Sequence, residues 1–149
     1  MKREFPEHPL VGVGAVIIEP GRKKDARVVL VKRAHPPIAG QWSIPGGALE
    51  VGELVRDGAV REAREETGLI VEASDLLGVY DRVLRDAEGR VQYHYVLVDF
   101  LCRPIGGELL AASDAAEIRW FNREQLPALG MPDDTLEVIH RGFDRSERG

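Results

Sequence analysis

The chain has 149 residues, 44% of them hydrophobic and 30% charged, with a formal net charge of −5. That is the size and balance of one soluble domain, and the acidic excess argues against a bulk electrostatic grip on nucleic acid. A single cysteine, Cys102, rules out an intrachain disulfide and sets the expectation of a reducing, cytoplasmic setting.

In chain order, MKREFPEHP lacks the apolar stretch of a secretory signal. Residues 11–18, VGVGAVII, predict a buried strand thinned by glycine, too short to cross a bilayer, so no membrane partner is expected. The charged stretch EPGRKKDA leads to a second β-branched strand, RVVLVKR, at 27–33. AHPPIAGQW is a loop broken by proline and glycine, and SIPGGALE has the composition of a short strand entering a tight turn. A helix is predicted from about 53 to 67, with Gly52 as its N-cap and Gly68 as its stop. LLGVYDRVLR and VQYHYVLVDFLC predict two strands joined by the turn DAEGR. PIGGELLAASDAAE is mostly loop, IRWF a short strand, and DDTLEVIHRGF a C-terminal helix ahead of a frayed DRSERG. Interleaved strands and helices with no linker predict a single α/β domain over 1–149, a mixed sheet with helices on its faces.

The predicted central helix places its acids badly by local rules. Glu62, Glu65 and Glu66 crowd the C-terminal turns, where each opposes the helix dipole at about 0.3–1 kcal/mol. Glu62 and Glu66 add a like-charge i,i+4 pair costing roughly 0.2–0.5 kcal/mol. At 100° per residue the three carboxylates fall on one side with Val55, Gly58 and Ala59, while Arg56, Asp57 and Arg64 fall opposite. Val60 is the exception on the polar side, and Arg61 flanks the cluster. A solvated, salt-bridged face would mix arginine with glutamate. Three converging carboxylates call instead for a hard cation, Mg²⁺ first and Mn²⁺ second, with phosphate oxygens completing its shell.

From Gly47 to Leu69 the chain reads GALEVGELVRDGAVREAREETGL. This resembles the Nudix box, G-x5-E-x7-R-E-U-x-E-E-x-G-U, where U is a bulky aliphatic. Gly47, Glu53, Arg61, Glu62, Glu65, Glu66, Gly68 and Leu69 match at the required spacing, and Ala63 replaces the first bulky aliphatic. WSIPGG before the box is similar to the family's approach to it, and SDAAEIRWF is similar to a segment of its ADP-ribose-cleaving and related branches. The resemblance implies an α/β/α sandwich with a mixed β-sheet that hydrolyses a nucleoside diphosphate linked to another group. It further implies that Glu62, Glu65 and Glu66, with the Gly47 carbonyl, bind the divalent ions, and that Glu53 and Arg61 orient the box. The general base comes from a box glutamate, Glu65 or Glu62, or from a distant loop, where Asp114 is the first candidate and Glu117 the second.

Outside the box, Arg33 at a strand end is a candidate grip on a terminal phosphate, with a surface salt bridge as the alternative. Trp42 is a candidate for stacking on a base or ribose, with a core anchor as the alternative. The small-molecule partner implied is a nucleotide diphosphate, and homodimers are common in the resembling families. Leu84 stands where ADP-ribose cleavers carry proline, and residues 85–87 lack the tyrosine of diadenosine-polyphosphate cleavers. The SDAAEIRWF likeness favours ADP-ribose or a sugar nucleotide. The alternatives are a house-cleaning (d)NTP pyrophosphohydrolase and a noncatalytic nucleotide-sugar-sensing module.

Overall fold

The computed structural model describes residues 2–19, 25–36, 38–110 and 115–148. Strands β1 (Leu10–Glu19), β2 (Arg27–Arg33), β3 (Trp42–Ser43) and β4 (Gly46–Ala48) precede helix α1 (Val55–Thr67). The long strands β5 (Leu69–Arg85) and β6 (Val91–Gly107) follow, then β7 (Ala115–Asn122), a 3₁₀ helix at Arg123–Leu129 and helix α2 (Asp133–Arg148). The strands order as β3-β2-β1-β6-β5, with β4 added to β1 and β7 to β2. β1 and β6 run parallel and the other pairs antiparallel, which makes the sheet mixed.

Alternation along β1 separates two cores. Val16 and Ile18 join Val28, Leu30 and Leu101 beneath Val138, Ile139 and Phe143 of α2. Val13, Ala15 and Ile17 join Val29, Phe100 and Cys102 beneath Ala59 and Ala63 of α1. Each fully buried aliphatic side chain contributes about 1.5–3 kcal/mol, so the two layers clamp the sheet from both faces as an α/β/α sandwich. Ala63 is fully buried, so its small side chain lets α1 approach the sheet closely. Burial pushes the Cys102 thiol up to about 12, as expected of a packing residue rather than a nucleophile. Among the described residues, no helix is long and apolar enough to cross a membrane.

Several boundaries differ from the sequence reading. Helix α1 starts at Val55 behind Leu54, so Glu53 lies outside it and Gly52 takes a left-handed turn conformation (φ 85°). Gly68 does close the helix, with φ 81° and its N–H donating to the Arg64 carbonyl. A Cβ on Gly68 would also lie 2.3 Å from the Glu108 carbonyl, so both backbone conformation and space require glycine there. β5 begins at Leu69 rather than near residue 76, and β6 continues to Gly107, because 69–73 pair with 102–107. α2 continues to Arg148, through most of the segment expected to fray.

The position of the site follows from one feature of β1. Its C-terminal end pairs with β2 through Ile18 and Glu19, whereas Gly12, Val13 and Gly14 pair with Ala48, Gly47 and Gly46 of β4. The sheet therefore forks along β1, and a cleft opens beside the fork.

Candidate active site

The short strand β4 brings the helix acids and the sheet together. The bonds from Ala15 N–H to Pro45 O and from Leu49 N–H to Val11 O, both 2.9 Å, bracket it. Antiparallel pairs alternate between hydrogen-bonded and open, so Val13 and Gly47 face each other, while Gly46 and Ala48 turn their peptide groups outward. Both outward residues are used: Gly46 N–H donates to Glu66 Oε1 at 2.6 Å, and the Ala48 carbonyl accepts from Arg61 Nη2 at 3.1 Å. This moves the carbonyl expected at the metal from Gly47 to Gly46, because the ladder directs the Gly47 carbonyl toward β1.

Glu66 is 6% exposed and lies between the Gly46 N–H and the Arg33 guanidinium, with which it forms an ion pair. Burial pushes its carboxyl above the ordinary value, against the opposing pull of Arg33 and the Gly46 N–H. Glu62 packs directly over Gly47, where an added Cβ would fall 2.6 Å from its carboxyl. Burial raises Glu62 too, against the hydrogen bond from Arg61. Glu65 is the outermost of the three, with 57% of its side chain exposed.

Arg61 organises the cluster. Its Nε and Nη2 donate to Glu53 at 2.7 and 2.9 Å, and its Nη1 reaches Glu62 at 2.8 Å and Glu65 at 3.1 Å. The hydrogen bonds from Arg61 hold the Glu53 carboxyl below its usual range, and Glu53 in turn raises Arg61, fixing both as charged. Glu53 also accepts from the Glu50 N–H at 3.1 Å, pinning the turn ahead of α1.

The remaining candidates divide. Arg33 lines the cleft, but its guanidinium serves the protein: Nε donates to Ser43 Oγ and Nη2 to the Ile44 carbonyl, both at 2.8 Å, while Nη1 pairs with Glu66. Trp42 does not line the cleft; it packs edge-on against Phe121 at 4.9 Å, as a core anchor does. Glu117 pairs with Arg119 on β7. Asp114 lies outside the described residues.

As donors, Glu62, Glu66 and the outward carbonyl of Gly46 fit a hard cation: all are oxygens, and two are carboxylates whose burial the neighbouring arginines offset only in part. No preformed group of three ligating side chains exists among the described residues. Arg33 engages Glu66, while Arg61 holds Glu62 and Glu65 through the one nitrogen Nη1.

The cleft measures about 850 Å³ and extends from these acids across Gly12 and Gly14 to β5, β6 and the start of α2. Its far end contains Tyr80, Arg82, Asp99 and Asp134, none of them singled out from the sequence. Arg82 Nη2 contacts both oxygens of Asp134 at 2.8 Å. The only trace in the sequence was the glycine-thinned pattern of β1, because the other residues reach the cleft through long-range pairing.

Comparison with known proteins agrees with this geometry. The NUDIX domain model matches residues 8–142. An ADP-ribose pyrophosphatase of Methanocaldococcus jannaschii is 40% identical over 129 residues, covering 87% of this chain and 71% of that protein. The 8-oxo-dGDP phosphatase NUDT18 of Mus musculus is 30% identical over 93% of this chain, which spans 41% of that longer protein. A crystal structure of a MutT NUDIX hydrolase from Burkholderia pseudomallei superposes with a TM-score of 0.74 at 32% identity, covering 91% of this chain and 98% of that one.

Proposed function

The chain belongs to the Nudix hydrolase family and is a pyrophosphohydrolase; within that family we propose that it cleaves the diphosphate of ADP-ribose or a closely related sugar nucleotide with the help of Mg²⁺. The observation that carries this reading is the placement of Glu62 over Gly47 and of Glu66 on the Gly46 N–H. There both are desolvated, and both open onto a cleft of the size that holds a nucleotide. The similarity to the archaeal ADP-ribose pyrophosphatase supports the choice of substrate.

Glu62, Glu66 and the Gly46 carbonyl would hold the ion, joined by Glu65. When bound, a divalent ion neutralises the diphosphate and acidifies water for attack on phosphorus. The protein's share is positional. Arg61 fixes Glu62 against Gly47 and keeps Glu53 charged beneath it, so the ligand oxygens are aimed before substrate arrives. Arg33 keeps Glu66 on the Gly46 N–H rather than in solvent. Glu65, exposed and held only by the 3.1 Å contact to Arg61, is the acid free to take the proton from the attacking water at its Oε atoms.

The test is a panel of ADP-ribose, ADP-glucose, NADH, 8-oxo-dGDP and dNTPs with Mg²⁺ or Mn²⁺, with products identified by mass. AMP and ribose 5-phosphate from ADP-ribose, at the highest kcat/KM of the panel, is the expected result. Preferential turnover of 8-oxo-dGDP would move the substrate to that of the mouse relative. Tight binding of ADP-ribose with no product from any compound would make the chain a sensing module.

A further inference from the structure

The cleft contains polar groups that diphosphate cleavage does not use. Asp99 on β6 is 5% exposed and lines the cleft, yet among the described residues no hydrogen bond or ion pair reaches its carboxyl. The neighbouring guanidinium of Arg82 is directed to Asp134 instead. On β5 the hydroxyl of Tyr80, a residue lining the same cleft, is enclosed and has no hydrogen-bond partner. Buried polar groups are nearly always satisfied in folded proteins, so the enclosed Tyr80 hydroxyl lacks an expected partner, and the Asp99 carboxyl, unpaired at the cleft wall, is open to one.

The shape around them is that of a slot. Gly12 and Gly14 line the cleft along β1, and side chains of β6 lie flat across them. A Cβ on Gly14 would stand 2.3 Å from Asp99 Oδ1 and 2.8 Å from Ile44 Cδ1, and one on Gly12 2.8 Å from Leu97 Cδ2. The Asp99 carboxyl therefore overhangs β1 and leans toward β4. Ile44, Leu84, Leu97 and Val138 supply apolar walls. Asp99, Gly14 and Gly46 occupy one row of paired residues across β6, β1 and β4. A group bound at Asp99 therefore lies one to two strand spacings, roughly 5–10 Å, from the diphosphate end, about the span of a ribose.

We propose that Asp99, with Tyr80 beside it, reads the hydrogen-bonding edge of an adenine-type base while the diphosphate occupies the Glu62–Glu66 end of the cleft. The inference rests on the diphosphatase reading above and names the base it takes. A neutral carboxyl offers one O–H donor beside one C=O acceptor, the same pair with which an asparagine or glutamine amide reads adenine's ring nitrogen and exocyclic amine. An ionised carboxylate only accepts, and suits instead the two adjacent N–H donors on guanine's Watson–Crick edge. Burial holds Asp99 neutral up to about 7. Of the charged groups facing it, Arg82 on β5 favours ionisation and Asp134 on α2 opposes it, while β1 contributes only glycines. Tyr80, itself raised by burial, stays a neutral donor.

The experiment measures kcat and KM for ADP-ribose and GDP-ribose, which differ only in the base, in the wild type, Asp99→Asn, Asp99→Leu and Tyr80→Phe. The wild type is expected to prefer ADP-ribose through KM. Asp99→Leu raises that KM about tenfold or more with kcat little changed, and erases the base preference. Asp99→Asn keeps the preference and, unlike the wild type, does not lose it as the pH rises from 6.5 to 8.5. Tyr80→Phe raises the ADP-ribose KM with kcat preserved. Asp99→Leu with a wild-type KM and an unchanged base preference overturns the inference. Calorimetric binding of AMP to the same variants reads the subsite without turnover. If no diphosphate is cleaved but Asp99→Leu alone weakens AMP binding, the base subsite stands and the diphosphatase reading falls. Equal AMP binding by wild type and Asp99→Leu overturns the subsite whatever the turnover.

Discussion

Gly46 and Gly47 are neighbours on one strand, yet an added methyl group should have opposite consequences at the two positions. A Cβ on Gly47 would stand 2.6–2.7 Å from the carboxyl atoms of Glu62, against an ordinary contact of at least 3.4 Å, so that carboxyl must retreat by roughly 0.8 Å. The carboxyl is the end of a flexible side chain, and the fold can absorb the move for about 1 kcal/mol, a Tm change of roughly 2–4 °C. Catalytic geometry is less forgiving, since a displacement near 1 Å costs about 10²-fold. Gly47→Ala should therefore lose about two orders of magnitude in kcat and keep most of its Tm. At Gly46 the obstacle is the Val13 carbonyl at 2.3 Å and the Gly14 Cα at 3.0 Å, both backbone of a central strand that cannot yield locally. Gly46→Ala should lose about 3 kcal/mol or more of stability. Steady-state turnover and thermal denaturation of the two variants side by side decide the matter. Wild-type kcat in Gly47→Ala, or a Tm loss there equal to that of Gly46→Ala, would refute the reasoning.

Three further outcomes follow from the same site. Because burial outweighs Arg33 and Gly46 in raising Glu66, Glu66→Gln should abolish turnover and leave the ion-free Tm unchanged or higher; a Tm lower by more than a few degrees contradicts that balance. Arg61→Met strands Glu53, Glu62 and Glu65 together and should cost about 2 kcal/mol along with nearly all activity. Arg61→Lys should recover stability more than turnover, because an ammonium cannot replace the planar fork. Asp99 is raised from 3.8 to about 7, so its stabilising contribution is complete below pH 3.8 and is lost as the pH rises through 7. Wild-type stability relative to Asp99→Asn should therefore fall between pH 4 and 7 and flatten above; denaturant titrations giving a constant difference would exclude a buried neutral carboxyl.

The placement of the candidate residues was legible where the reasoning was local. The helix period put Glu66 on the face with Val55, Gly58 and Ala59; Glu66, Gly58 and Ala59 are buried and Val55 half-buried. Gly68 announced its own cap. What the sequence hid was set by distant partners. Glu53 looked like the first helical residue, but Arg61 eight positions on holds it in the turn, and the helix waits for Val55. Glu65, placed inward on the same wheel, sits at the edge of the face and is drawn outward by Arg61. PIGG looked like loop because its strand partners, at Leu69–Val71, lie more than thirty residues upstream. Asp99 read as one acid in an apolar strand. Its significance depends on Gly14, from a strand more than eighty residues earlier, lying opposite it.

The forked pairing of β1 acts as a gauge for substrate length. The Gly46 backbone, against which Glu66 rests in the proposed site, and the backbone that carries Asp99 are both indexed to the same glycine, Gly14. Ladder register comes in whole-residue steps, and a slip of one would turn every side chain of β1 to the opposite face. Loop exchange around the cleft would thus leave the distance from the Gly46 end to Asp99 unchanged, because hydrogen-bonded rungs fix it.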